Sequence, residues 1–199
     1  MKYVSVGGLR LPAVAVGCMR LNGLEEKARE HFIGSALDAG LNFFDHADIY
    51  GRGECESMFG AAVKALKIPR DKIVIQSKCG IVPGVMFDFS KKHILEAVDG
   101  SLKRLGTDHL DGLLLHRPDA LAEPEEIAEA FFELEKSGKV GYFGVSNMHP
   151  MQIELVKSAV KQPIVADQLQ FSPTNATMIS NGIEANMLTD GADARDGYI

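Results

Sequence analysis

In the segment LNFFDHADIYG, residues 41–51, an apolar run gives way to Asp45, His46, Asp48 and Tyr50. Turns are polar, but they seldom need a tyrosine and that many ionisable groups together. Further along, Lys78, His116, the pair Ser146–Asn147 and Gln168 each close a short apolar run. A phenol, an ammonium and a carboxylate make a chemically usable set. A phenol titrates near pH ~10, too high for an efficient acid at neutral pH. A nearby ammonium stabilises the phenolate and lowers that value, and a carboxylate beside the ammonium orients it and keeps it charged. Asp45, Lys78 and Tyr50 are candidates for that chain of influence, with His116 supplying a further hydrogen bond. Such a phenol can protonate a carbonyl oxygen as hydride arrives at the carbon, meeting the negative charge where it develops.

Each residue alone has a plainer reading. Lys78 equally well starts a solvated loop, and His116 before RPD equally well is a satisfied buried histidine. Lys78 is also a candidate Schiff-base amine, although Asp45 beside it favours a charged, non-nucleophilic form. His46 and Asp48 with Asp45 suggest a metal, but no HExxH or comparable ligand spacing supports one, so no metal site is expected.

The elements that must position these groups alternate. PAVAVG (12–17) reads as a strand preceded by a short hairpin, residues 25–39 as a helix stopped by Gly40, and LNFFD (41–45) as a strand. Helix 54–67 ends before Pro69, KIVIQSK (72–78) is a β-branched strand, and after a loop Ser90 is the expected N-cap of helix 91–105. Strand 110–116, helix 123–137, strand 140–146, a helix opened by Pro150 and strand 163–170 follow. This order predicts right-handed βαβ units and a parallel sheet. GRGECE has only the first two glycines of a dinucleotide fingerprint, so a closed α/β barrel is favoured over an open doubly wound sheet. In a barrel the strand ends converge on one rim, where barrel enzymes keep their active sites; grouping Asp45, Lys78, His116, Ser146, Asn147 and Gln168 there is costly unless they act together.

Composition narrows the partners. A net charge of −6 argues against nucleic acid, and no run of about 18 apolar residues suggests a membrane span. Three widely spaced cysteines, Cys18, Cys55 and Cys79, with no CxxC pair, point to reduced thiols and a cytoplasmic chain. The NAT acceptor pattern at 175–177 carries no weight without a secretory signal.

The stretches DHADIYG, SKCGI, DHLDGLLLHRPD, SGKVGYFGVSN and DQLQFSP, in this order, resemble the aldo-keto reductase superfamily, with motifs close to a bacterial subgroup. The resemblance implies a (β/α)8 barrel binding a nicotinamide dinucleotide, NADPH ahead of NADH, and reducing a small-molecule carbonyl. By that resemblance Tyr50 is the general acid, Lys78 with Asp45 depresses its pKa, and His116 orients the carbonyl. Ser146, Asn147 and Gln168 would hold the nicotinamide carboxamide, and Met19 would line the cleft; Asp167 is read as a neighbour of Gln168. Met19, Ile81, Val82 and Phe87 would offer an apolar lining.

Six barrel strands are legible where eight are expected, and such barrels run to about 250 residues against 199 here. The expectation is therefore a single domain, residues 1–199, incomplete at its C-terminus, with open apolar edges. The resemblance assigns the nicotinamide-stacking aromatic to strand seven, and the pyrophosphate and 2′-phosphate grips to the loops after strands seven and eight. The competing expectation is a non-catalytic scaffold or inactive fragment without that phosphate site.

Overall fold

The computed structural model describes residues 1–175. Residues 176–199 lie outside the described residues. The chain opens with a hairpin of β1 (Tyr3–Val6) and β2 (Leu9–Pro12), then alternates: β3 (Val16–Gly17), α1 (Glu26–Asp38), β4 (Phe43–Asp45), α2 (Glu54–Ala65) and β5 (Val74–Cys79). A small hairpin, β6 (Ile81–Val82) with β7 (Met86–Phe87), precedes α3 (Lys91–Leu105) and β8 (Leu110–Leu115). Then come α4 (Pro124–Lys136), β9 (Val140–Ser146), α5 (Pro150–Ala159) and β10 (Ile164–Gln168).

Helix starts follow local chemistry. The Ser90 side chain accepts from the backbone N–H of His93 at 3.3 Å, as its position before α3 predicts. At α5, Pro150 occupies the first turn and His149 forms a reciprocal cap with Gln152. Two readings are corrected. The barrel strand expected over 12–17 is only Val16–Gly17, because Pro12 closes the hairpin strand and the next three residues leave the sheet. The loop expected after Lys78 contains the β6–β7 hairpin, too short to show a period in sequence.

The six longer-range strands form one parallel sheet in the order β3, β4, β5, β8, β9, β10. Adjacent strands stand about 4.8 Å apart, so β4 and β10, four steps away, would be roughly 19 Å apart in a flat sheet. Yet Gln168 Nε2 on β10 lies 3.2 Å from Asp45 Oδ2 on β4. The sheet is therefore strongly curled. Alternation then sorts the side chains: Gln76 and Lys78 of β5 point inward to Asp45, while Ile75 and Cys79 join the core under the helices. That core is held by pairs such as Phe44–Phe59, with ring centroids 4.9 Å apart, and the stacked Phe131–Phe143, at 4.1 Å. The β1–β2 hairpin lies under the N-terminal strand ends, where a Cβ on Gly7 would stand 3.2 Å from Val165. The long open edges expected from six strands are not both long, since β3 pairs through two residues alone.

Candidate active site

Asp45 is the last residue of β4 and Lys78 the fifth of β5, on neighbouring strands and the same inner face. Lys78 Nζ donates to both Asp45 oxygens, at 2.7 and 2.8 Å, and to the His46 carbonyl at 2.8 Å. The pair is almost wholly buried, with side chains 2% and 10% exposed. Such burial is tolerable only because the charges face each other and their remaining sites are filled.

Tyr50 reaches the ammonium from the turn after β4. That turn is tight: Gly51, Arg52 and Gly53 all have positive φ, at 57°, 57° and 90°. A Cβ on Gly51 would stand 2.9 Å from Asn22 Nδ2 and 3.2 Å from Cys55 Sγ, so glycine is required twice over. The GRG sequence is thus the device that returns the chain into α2 and presents Tyr50. The phenol oxygen accepts from Lys78 Nζ at 3.2 Å.

The expected depression of the Tyr50 pKa is not what the surroundings produce. Burial dominates and raises it above its usual value; Lys78 lowers it, Asp45 raises it, and the Lys78 hydrogen bond lowers it again. The phenol holds its proton, which suits an acid's resting state. The ammonium is visible in the spacing of the sequence; the desolvation that outweighs it is not.

His116 follows β8 and sets its ring edge-on to Tyr50, centroids 6.0 Å apart. Burial first, then Lys78 and Arg117, pull its pKa down to about 3, so the ring is neutral. Its Nδ1 is buried and has no hydrogen-bond partner among the described residues. Ser146 Oγ donates to the Gln168 carbonyl at 2.8 Å, and Asn147 Nδ2 donates to the His116 carbonyl at 3.2 Å and to Ser146 Oγ at 2.9 Å. Asn147 adopts a left-handed φ of 58°, which folds it back over this group. Met19 is different: its side chain is half-exposed, and its backbone carbonyl accepts from the Cys55 thiol at 3.4 Å.

His46 and Asp48 do other work. His46 is fully buried, edge-on to Phe59, with its pKa pulled down to about 3 by burial and then by Lys78. Among the described residues no group of three or more His, Cys, Asp or Glu side chains could hold a metal ion. Lys78 directs its N–H donors at Asp45, His46 and Tyr50, an arrangement that disfavours a Schiff base there.

Two hydrogen-bonded arrangements escaped the sequence reading. Gln76 Nε2 donates to Asp45 Oδ1 at 2.8 Å, and it stands two residues before Lys78, a spacing that puts both on one face of a strand. Behind β5, Ser77 Oγ donates to Glu56 Oε1 at 2.6 Å, and Arg104 Nε to Glu56 Oε2 at 2.8 Å. A cleft of about 770 Å³ between α2 and α3, lined by Phe59, Val63, Leu102 and Leu105, lies on the outer wall, away from this chemistry.

A family model, the aldo/keto reductase family, matches residues 13–193. The chain belongs to that family. Oxidoreductase YdhF of Escherichia coli (strain K12) is 39% identical over 176 residues, covering 84% of this chain and 59% of YdhF. The 6-dehydroglucose reductase of Agrobacterium fabrum is 36% identical over 186 residues, covering 87% of this chain and 63% of that protein. The crystal structure of the thermostable aldo-keto reductase Tm1743, in complex with the inhibitor epalrestat, superposes with a TM-score of 0.76 at 28% identity, over 92% of this chain and 70% of that one. The curled sheet is thus the aldo/keto reductase barrel, with six of its strands among the described residues. This chain spans about 60% of the length of the two curated relatives.

Proposed function

We propose that this chain reduces the carbonyl group of a small aldehyde or ketone, with Tyr50 as the proton donor and a nicotinamide dinucleotide, NADPH ahead of NADH, as the reductant. The observation that carries the reading is the Tyr50–Lys78–Asp45 chain, with contacts of 3.2, 2.7 and 2.8 Å, beside a neutral His116. Bound cofactor would supply the hydride. Tyr50 supplies the proton to the carbonyl oxygen, and Lys78 stabilises the phenolate left behind. His116 offers a neutral imidazole to hold that oxygen. Ser146, Asn147 and Gln168 fit a carboxamide, because they gather amide and hydroxyl donors and acceptors at adjoining strand ends. Met19 borders the mouth. Buried, unpaired thiols at Cys18, Cys55 and Cys79 are consistent with a reducing, cytoplasmic setting.

The test is a titration of the 199-residue protein with NADPH, followed by cofactor fluorescence. Saturable binding at submillimolar NADPH is expected. No binding up to millimolar NADPH would reject the reductase reading for this chain and leave a reductase-like scaffold.

A further inference from the structure

Gln76 is an anomaly in its strand. It is 6% exposed, with Val74 and Ile75 before it, and a primary amide buried inside a barrel is costly unless its hydrogen bonds are made. Its nitrogen donates to Asp45 Oδ1 at 2.8 Å, the oxygen that also accepts from Lys78 at 2.7 Å. The same nitrogen stands 3.4 Å from Gln168 Oε1. Gln168 in turn presents Nε2 to Asp45 Oδ2 at 3.2 Å. An amide facing a carboxylate must offer its NH₂ end, so Asp45 fixes the orientation of both glutamines.

We propose that Gln76 is a positioning residue: it fixes the plane of the Asp45 carboxylate that aims Lys78 at Tyr50, and it ties that carboxylate to the amide of Gln168. This rests on the reading of Tyr50 as proton donor. Lys78 touches Tyr50 at 3.2 Å, the longest of its four contacts, so a small rotation of Asp45 suffices to lose it. Gln168 is held at both ends of its amide, by Gln76 and by Asp45, so the proposed carboxamide site and the proton donor share one hydrogen-bonded group. The ionisable groups around Tyr50 are Lys78 from β5, Asp45 from β4, Cys18 after β3 and the neutral His116 after β8. Among these Asp45, and after it Cys18, oppose the phenolate, and an N–H donated by Gln76 offsets part of the Asp45 field.

The experiment uses the full chain labelled with 3-fluorotyrosine, whose phenol ionises at lower pH than tyrosine. Fluorine NMR follows the Tyr50 resonance, assigned by its absence in Tyr50→Phe. In Gln76→Leu the ionisation constant of the Tyr50 phenol is expected to fall about threefold or more. The kcat for a carbonyl substrate is expected to fall about tenfold, with KM held within about twofold. Gln76→Glu can donate only while its carboxyl is protonated. Its Tyr50 resonance and kcat should therefore show an added pH limb that the wild type lacks, near wild-type at low pH and impaired above. An unchanged Tyr50 titration in a folded Gln76→Leu protein overturns the proposal. If that variant does not fold, the absence of the added limb in Gln76→Glu overturns it instead. The fluorine titration needs no turnover, so a wild-type chain without reductase activity would count against the function and still decide the role of Gln76.

Discussion

Glu56 and Ser77 are joined at 2.6 Å across the interface between α2 and β5, one residue from Lys78. Glu56 is fully buried, and its second oxygen holds Arg104 of α3, so one carboxylate on α2 bonds both β5 and α3. Breaking a fully buried ion pair costs about 3–5 kcal/mol. Arg104 keeps 30% of its side chain exposed and can turn to water. Glu56→Ala is therefore expected to lose about 2–3 kcal/mol in urea unfolding, and Glu56→Gln less, because it keeps the shape and one acceptor. A loss in Glu56→Ala no larger than that of a surface substitution would show that this bridge does not brace the strand.

A partly buried carboxyl nearby, Asp48, gives stability a pH dependence. Burial, and then Glu56, push the Asp48 pKa up to about 7 against the opposing pull of Arg104, Ile49 N–H and Lys78. The folded chain thus binds a proton at Asp48 that the unfolded chain releases near pH ~4. Its contribution is complete below that value, declines as pH rises, and is gone above about 7. His46 and His116, with pKa values pulled down to about 3, act in the opposite sense over the acid range. Asp48→Asn removes the first trend alone. Its stability relative to wild type should improve by on the order of 2–4 kcal/mol between pH 5 and pH 8. Parallel curves of urea midpoint against pH for the two proteins would contradict the raised pKa.

How much of this was legible in the sequence depended on whether a property is local. Ser90 and Pro150 mark helix starts through their own local chemistry, and α3 runs over the expected residues 91–105. The inward groups at Asp45, Lys78, His116 and Gln168 were readable because strand ends in a parallel barrel share one rim. Gln76 was within reach of the same logic, since the spacing from Lys78 fixes its face, but a single glutamine in an apolar strand attracts little notice. The Glu56–Ser77–Arg104 bridge joins residues as far as 48 positions apart and has no local signature. The direction of the Tyr50 shift was missed for a related reason: a neighbouring ammonium can be guessed from spacing, whereas burial is a property of the assembled rim.

The central claim is that Tyr50 delivers the proton. The most direct measurement compares wild type with Tyr50→Phe, recording NADPH oxidation with a small aldehyde alongside NADPH binding by fluorescence. The account predicts that turnover falls by about 10²–10⁴-fold while the NADPH dissociation constant stays within about twofold. Turnover retained above about a tenth of wild type would contradict it, because the contact between Tyr50 and Lys78 would then carry no chemistry.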